Sequence, residues 1–265
     1  MPTQEPNAVR EKLANGQPVT GTAVFSWSPY IVDAAGFAGL DYLRIDTEHV
    51  WRQDSMLEHL VRAAHLGGVL PIVRIDRDNP YLARKALEIG AGGIIVPDIS
   101  SVAEAEAVVR AAKFPPRGER GFSNYCFSAG WGAEDAAEWV TWSDREPLVG
   151  IMIENVEAMA RIDDIMAVDG IDFALFGPAD YSMSLGLGAP RAQDERVQAA
   201  IKETVAAAHK AGKYVSLGVG TERANIEKYL ALGIDMLELG ADLAIVSAGW
   251  TRATAAVGEI LANRK

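Results

Sequence analysis

Eight short runs of aliphatic and β-branched residues recur along this 265-residue chain, and longer segments with helical periodicity separate them. Strands that alternate with helices of this length form βαβ units, in which the strands are parallel. Eight such units favour a closed (β/α)8 TIM barrel, which takes about 250 residues. A doubly wound open sheet is the structural alternative. The predicted strands span 21–25, 41–45, 70–75, 93–96, 148–153, 172–176, 214–217 and 236–239.

The helical segments support the same architecture. Several of them stop at a glycine, the residue that most often follows the last turn of a helix. No shift in composition and no linker divides the chain, so the sequence predicts one domain over 1–265. The predicted helices span about 6–15, 55–66, 80–89, 102–112, 156–168, 194–211, 222–232 and about 241–262.

The composition excludes several classes of partner. There are 36 acidic and 25 basic side chains, a net charge of −11, which argues against nucleic acids and anionic membrane surfaces. The only cysteine is Cys126, so no internal disulfide can form. No apolar run approaches the ~18 residues of a membrane span, and the first residues do not resemble a signal peptide. We expect a soluble cytoplasmic protein.

Two carboxylates mark the ends of neighbouring strands. Glu154 directly follows the strand at 148–153, and Asp180 follows the strand at 172–176 after the turn Gly177-Pro178-Ala179. Consecutive parallel strands place both acids on one rim, where one small ion could reach both. Carboxylates with water and substrate are a common magnesium arrangement. The small residues of the turn let backbone amides approach a ligand oxygen closely.

Polar residues end two further strands. Asp46 and His49 lie in one tight loop, where the carboxylate could orient the imidazole as a general base. The alternative is a histidine that caps a helix. Arg74 could bind a carboxylate or oxyanion through its fork of donors, or pair with a neighbouring acid. Arg44 lies deeper in its strand, which favours an internal ion pair.

The segment 114–147 interrupts the alternation, since it contains no clear strand. It carries a cluster of aromatic residues, and loops this long are usually lids or binding loops. A subunit contact, or a short helix over the barrel mouth, explains the cluster equally well. The aromatic residues are Phe122, Tyr125, Phe127, Trp131, Trp139 and Trp142.

Six blocks along the chain carry a resemblance. They occur in this order: Asp46-x-Glu-His49, Pro71-Ile-Val-Arg74, Gly90-Ala-Gly-Gly-Ile-Ile-Val-Pro97, Phe114-Pro-Pro-Arg-Gly-Glu-Arg-Gly121, Ile153-Glu154 and Gly177-Pro-Ala-Asp180-Tyr-Ser-Met-Ser-Leu-Gly186. Together they resemble the metal-dependent class II pyruvate aldolases of the HpcH/HpaI type, such as 4-hydroxy-2-oxoheptanedioate aldolase. The match runs from about residue 21 to the last helix.

The resemblance implies a barrel of the phosphoenolpyruvate/pyruvate-binding type, assembled as a hexamer in which the C-terminal helix packs on a neighbouring subunit. It implies Glu154 and Asp180 as ligands of Mg²⁺ or Mn²⁺, with Co²⁺ a further candidate. Arg74 would contact the keto oxygen of pyruvate. His49, oriented by Asp46, would be the acid/base.

In the same resemblance, the backbone of Gly177, Pro178 and Ala179 would hold the pyruvate carboxylate. The chain departs from the family at Met152, where well-known members carry glutamine, and at Thr47, which replaces a glycine. With the bulky Trp51 and the aromatic loop, these changes are expected to reshape the aldehyde pocket.

The leading hypothesis is reversible cleavage of a 4-hydroxy-2-oxo acid to pyruvate, or hydroxypyruvate, and an aldehyde. No lysine stands at a matching strand end, which argues against a Schiff-base aldolase. The alternatives are a lyase acting on a coenzyme A thioester, which would need a basic groove for the nucleotide, and a catalytically silent barrel that serves as a scaffold.

Overall fold

Eight parallel strands close into a barrel in sequence order, and β8 pairs with β1. This computed structural model describes residues 5–50, 54–79 and 81–264. The closed barrel confirms the predicted (β/α)8 fold and rules out the open sheet. The strands are β1 Val19–Val24, β2 Tyr42–Asp46, β3 Leu70–Arg74, β4 Gly93–Val96, β5 Leu148–Ile153, β6 Phe173–Phe176, β7 Tyr214–Gly218 and β8 Met236–Ala241.

Helices connect the strands and form the outer layer of the barrel. They are α1 Ala8–Ala14, α2 Pro29–Phe37, α3 Asp54–Gly67, α4 Tyr81–Glu88, α5 Val102–Ala112, α6 Ala136–Arg145, α7 Val156–Met159, α8 Ile162–Met166, α9 Pro178–Ser184, α10 Glu195–Lys210, α11 Arg223–Leu232 and α12 Asp242–Ala262.

Large side chains fill the interior of the barrel, and small residues on the neighbouring strands make room for them. A methyl group added to Gly21 would lie 2.6 Å from the ring of Tyr42, and one added to Gly150 would lie 2.2 Å from the ring of Phe173. Both rings are buried. The interior is therefore a packed core and not a channel, as is usual for this fold.

Helix α1 covers the amino-terminal end of the barrel. Its side chains Val9 and Leu13 join the interior cluster of Tyr42 and Phe173. Asn7 caps the helix by accepting the backbone N–H groups of Val9 and Arg10, each at 3.1 Å. Since this end is closed by packing, the carboxyl ends of the strands form the open face.

The structure differs from the sequence prediction at helix α2 and in the segment 156–168, while 114–147 contains no strand, as predicted. Helix α2, which has Pro29 in its first turn, was not predicted. The predicted helix 156–168 is two short helices, because Arg161 has non-helical backbone angles (φ −134°, ψ 22°). The segment 114–147 contains a 3-10 helix over Phe127–Gly132 and the helix α6.

Helix α12 extends away from the barrel. Among its 21 residues only Asp242, at the start, is buried, and its main contacts are with β1 and β8. Within the described residues, no helix combines the length and apolar character that crossing a membrane would require.

Candidate active site at the carboxyl end of the barrel

The polar residues that end β2, β3, β5 and β6 lie on the open rim. Asp46 and Arg74 are the last residues of adjacent strands and are paired in register. Glu154 directly follows β5, and the Gly177 N–H after β6 donates to the carbonyl of Ile153 at 3.0 Å. The closure of the barrel therefore places the pair Asp46 and Arg74 on the same rim as the pair Glu154 and Asp180.

Asp46 is fully buried, and four donors surround its carboxylate. Oδ1 accepts the backbone N–H groups of Glu48 at 3.0 Å and His49 at 2.9 Å. Oδ2 accepts from Arg44 at 3.2 Å and from the Nη2 of Arg74. Charge-assisted hydrogen bonds of this kind stabilise the ionised carboxylate. Asp46 therefore fixes the loop that carries His49.

The prediction that Asp46 orients the imidazole of His49 is wrong in its geometry. The carboxylate holds the backbone of His49, and the ring projects outward with 57% of the side chain exposed. Its Nε2 lies 3.8 Å from a carboxylate oxygen of Glu48. A turn of three residues brings the amide of His49 back to Asp46 more easily than its ring. Glu48 is thus the nearer described acid to the imidazole.

Arg74 is buried among polar partners but keeps one donor unused. Its Nη1 lies 2.9 Å from Glu48 and 3.7 Å from the sulfur of Met152, and its Nη2 donates to Asp46. Within the described structure, Nε has no hydrogen-bond partner. A buried donor without a partner is unfavourable, so the position of the guanidinium is determined by the contacts of Nη1 and Nη2.

Arg44 forms the internal ion pair that its depth in β2 indicates. It donates to both carboxylate oxygens of Glu238 on β8, at 2.7 and 2.8 Å. The two strands flank β1, whose Gly21 and Ala23 are small enough for the pair to meet inside the barrel. Sequence reasoning predicted an ion pair for Arg44 but did not identify Glu238.

Glu154 is 7% exposed and is held from one side only. Its Oε1 accepts the backbone N–H of Asp98 at 2.7 Å. The pKa of Glu154 is raised to about 7, mainly by burial and also by the negative charges of Asp180 and Glu48, against the opposing effect of that hydrogen bond and of Arg74. A positive charge at Glu154 would therefore be strongly favoured.

The second carboxylate, Asp180, lies in the first turn of α9. Gly177 precedes that helix and lies against Glu154: a methyl group at Gly177 would be 2.6 Å from Oε2. Oε2, the oxygen that Asp98 does not use, therefore packs directly against the backbone of Gly177, and a larger residue would displace it. The charge of Asp180 acts on Glu154, and two neighbouring carboxylates fit a hard divalent cation that keeps water or substrate oxygens as its other ligands.

Within the described ranges, no group of three or more His, Cys, Asp or Glu side chains is arranged to hold a metal. Glu154 and Asp180 would therefore contribute two ligands and leave several positions for other oxygens. Trp51, predicted to contact the substrate, lies outside the described residues.

The turn predicted to hold a carboxylate offers fewer donors than its length implies. Pro178 has no N–H, and the Gly177 N–H is donated to Ile153. Ala179, in the first turn of α9, is left as the donor of the three, because the first amides of a helix have no partner within it.

The aromatic segment packs beside the barrel and not across its mouth. Phe127, Tyr125 and Trp131 line a cavity of about 450 Å³ between α3 and α4, which also reaches Trp27 and Thr47. The indole N–H of Trp27 donates to the carbonyl of Asp46 at 2.8 Å. Trp27 therefore connects the lining of the cavity to the backbone of Asp46.

Asp98 was missed, although a signal for it existed. It lies two residues beyond the end of β4, after Pro97, and so, like the other site residues, at the carboxyl end of a strand. Its side chain contacts Asn155 at 2.8 Å and Arg77 at 2.7 Å. Asn155 also caps α7 through Ala158 at 2.7 Å.

Comparison with known proteins identifies similar chains. The family model described as HpcH/HpaI aldolase/citrate lyase matches residues 22–248. The hydroxypyruvate/pyruvate aldolase of Pseudomonas aeruginosa is 31% identical, over 91% of this chain and 88% of the relative. The 4-hydroxy-2-oxo-heptane-1,7-dioate aldolase of Klebsiella pneumoniae subsp. pneumoniae is 30% identical, over 92% and 91% of the two chains.

A solved structure agrees with the same comparison. The HpcH/HpaI aldolase from Desulfitobacterium hafniense superposes with a TM-score of 0.87 at 31% identity, covering 94% of this chain and 96% of the other. The likeness therefore extends over nearly the whole fold and includes every strand end that carries a candidate residue.

Proposed function

Because the chain belongs to the HpcH/HpaI aldolase/citrate lyase family, we propose that it is a metal-dependent aldolase, a class II carbon–carbon lyase. It reversibly cleaves a 4-hydroxy-2-oxo acid to pyruvate, or hydroxypyruvate, and an aldehyde. The observation that carries this proposal is the convergence of Glu154, Asp180 and Arg74 on one rim, where the charges of Asp180 and Arg74 both act on the Glu154 carboxyl group.

Glu154 and Asp180 hold a divalent ion, Mg²⁺ or Mn²⁺, with Co²⁺ a further candidate. When bound, the ion supplies positive charge that polarises the 2-oxo group of the substrate. The raised pKa of Glu154, caused by its burial and by nearby acids, supports a cation at this position. Carboxylate oxygens as ligands favour a hard ion over a soft one.

Arg74 stabilises the oxyanion of the enolate that forms when the C3–C4 bond breaks. Its place at the end of β3, where its charge acts on Glu154, supports this role, because preorganised positive charge inside a buried site is most effective where negative charge develops. The bonds to Asp46 and Glu48 fix the guanidinium in advance, so no reorganisation is needed during the reaction.

His49 takes the proton of the 4-hydroxyl group in cleavage and returns it in condensation. The exposed ring is free to meet a substrate at the rim, while its backbone is held by Asp46. Glu48, 3.8 Å from Nε2, would stabilise the imidazolium that results.

The remaining contacts distinguish the two ends of the substrate. The amide of Ala179 in the Gly177-Pro178-Ala179 turn binds the carboxylate of the 2-oxo acid. Trp51, which follows the histidine loop in sequence, contacts the aldehyde portion. Because separate residues contact the two ends of the substrate, different aldehydes could be accepted while binding of the pyruvate half stays the same.

Helix α12 is the candidate assembly element. Its exposed apolar side chains, Leu243, Trp250, Val257, Ile260 and Leu261, have no cover in one subunit. A helix this apolar needs a partner surface. This surface supports our proposal of a homo-oligomer in which α12 packs on a neighbour; the number of subunits, a hexamer of three dimers, is what the resemblance to the family implies.

Light scattering after size-exclusion chromatography tests the assembly. Trp250→Glu should lower the molecular mass of the particle, because a charge would be placed in an apolar contact. Lys202→Glu, at an exposed position of α10, should not. A Trp250→Glu protein with the mass of the wild type would contradict this packing.

The activity is tested by metal removal and return. Protein treated with chelator should lose cleavage of a 4-hydroxy-2-oxo acid and regain it with Mg²⁺ or Mn²⁺. Glu154→Ala and Asp180→Ala should remain inactive after refilling, whereas Glu157→Ala, which removes an exposed acid three residues away, should behave as wild type. Full activity in either ligand variant would refute the proposal.

A further inference from the structure

Asp98 has an unusual backbone conformation. Its φ is +52°, which only two other non-glycine residues of the described chain share. Asp and Asn tolerate this left-handed region better than other side chains do, while β-branched residues tolerate it least. Such a conformation is unfavourable and persists only where the surroundings hold it.

The conformation directs the N–H of Asp98 at Glu154. That N–H donates to Oε1 at 2.7 Å, which is the one described hydrogen bond to the Glu154 carboxylate. The other oxygen, Oε2, accepts no hydrogen bond from the described residues and lies against Gly177, where an added methyl group would be 2.6 Å away. One oxygen is thereby restrained while the other stays available.

Two side chains anchor Asp98 from the opposite direction. Its Oδ1 accepts from Asn155 at 2.8 Å and its Oδ2 accepts from Arg77 at 2.7 Å. Arg77 also donates to the carbonyl of Asp98 at 3.0 Å. The carboxylate is thus committed to these partners, and Asp98 presents an N–H dipole, not its own negative charge, to Glu154.

We propose that Asp98 is a positioning residue for the divalent-cation site: its left-handed backbone, held by Arg77 and Asn155, fixes Glu154 through Oε1 so that Oε2 is left available to the cation. This inference rests on the proposed function, because it takes Glu154 as a ligand. It assigns to Asp98 a role through its backbone, with the side chain serving to hold that backbone.

Titration of the full-length, metal-free protein with Mn²⁺, followed by the EPR signal of the free ion, tests this role. Asp98→Asn keeps tolerance of the left-handed region and should bind Mn²⁺ within about 3-fold of wild type. Asp98→Val, which that region excludes, should weaken binding by about 10-fold or more. Asp169→Val, a 96% exposed acid at the opposite end of the barrel, is the control for the substitution itself.

Kinetic measurements distinguish a positioning role of Asp98 from a general loss of native structure. At saturating Mn²⁺, Asp98→Val should recover most of the wild-type kcat, with the defect confined to the Mn²⁺ concentration required. Equal binding by wild type and Asp98→Val would overturn the inference. So would an Asp98→Asn protein as weak as Asp98→Val, because the charge would then matter and not the backbone.

The result stays distinct from the test of the activity. If wild type and Asp98→Asn bind Mn²⁺ tightly, and Asp98→Val does not, Asp98 positions the site even when no aldehyde is released from any substrate. If Glu154→Ala binds Mn²⁺ as tightly as wild type, both the ligand assignment and the role of Asp98 are overturned.

Discussion

Gly177 and Glu154 are in direct contact across the ends of β6 and β5. A methyl group added at Gly177 would lie only 2.6 Å from Oε2 of Glu154. Real side-chain carbons do not approach an oxygen this closely, so one of the two must move. The backbone of Gly177 is tied to Ile153, and therefore Glu154 is the group that would be displaced.

Gly177→Ala should consequently weaken divalent-metal binding and lower kcat/KM by about 10-fold or more, since small misplacement of a catalytic group has large effects. The matched control is Gly218→Ala at the end of β7, where an added methyl group meets nothing within 4 Å. Metal titration and initial rates measure both variants. Equal effects of the two substitutions would show that the contact is not functional.

The buried pair Arg44–Glu238 should be strongly coupled. Arg44→Met and Glu238→Leu should each lower the free energy of unfolding by about 3–5 kcal/mol, because each leaves one buried charge without its partner. The double variant should recover most of the loss, as an apolar pair of similar size replaces both charges. A double-mutant cycle from urea unfolding measures the coupling; simple additivity would contradict it.

The raised pKa of Glu154 predicts a pH-dependent stability of the metal-free protein. The folded pKa of about 7 lies above the ordinary value of 4.5, because of burial, Asp180 and Glu48. The stabilisation from the protonated group is complete below pH 4.5 and is lost as the pH rises through 7. The loss is about 2–3 kcal/mol.

Glu154→Gln removes this titration. In chelator, its free energy of unfolding relative to wild type should therefore rise between pH 5 and pH 8, and urea unfolding at the two pH values measures the change. Mn²⁺ at pH 8 should stabilise wild type and not the variant. A difference between the two proteins that is constant with pH would disprove the cause given for the pKa.

In the aromatic segment, we expect Trp139 to have a structural role and Trp131 a functional one. Trp139 is fully buried and packs edge-on against Phe114 at 5.3 Å, with Arg120 4.6 Å over the Phe114 ring. Trp139→Ala should therefore lower the free energy of unfolding by about 3–5 kcal/mol. Trp131, 61% exposed on the cavity beside the barrel, should change stability by less than about 0.5 kcal/mol.

Trp131→Ala should instead change the ratio of kcat/KM for a small and an aromatic aldehyde, since Trp131 lines a cavity that reaches the loop of Asp46. Steady-state rates with both aldehydes measure the ratio. A fall that is equal for both aldehydes would assign the loop a structural role.

The fold was predictable because its signals are local. Aliphatic runs, helical periodicity and glycines after the helices each depend on a few residues, and eight repeats of the unit indicate a closed barrel. The break at Arg161 and the helix α2 were not predictable in this way. Packing against neighbouring elements determines them, and the sequence pattern of each is ambiguous.

The site was predictable to the level of which residues reach the rim. Asp46 and Arg74 end their strands, Glu154 and Asp180 follow theirs, and barrel closure brings the strand ends together. The partner of Arg44 was not predictable, since Glu238 is 194 positions away and meets it only inside the closed barrel. The contact of Asp46 with the backbone of His49, and not its ring, depends on the turn conformation.

The most direct test of the account is exchange of the methyl hydrogens of pyruvate in D₂O, followed by NMR with and without divalent metal. Enolisation needs the oxyanion to be stabilised at the site of Glu154, Asp180 and Arg74, and it needs no aldehyde. Exchange should be rapid in the wild type with Mg²⁺ or Mn²⁺, lost in chelator, and absent in Glu154→Ala under all conditions. Undiminished exchange by Glu154→Ala, or by the metal-free wild type, would contradict the central claim.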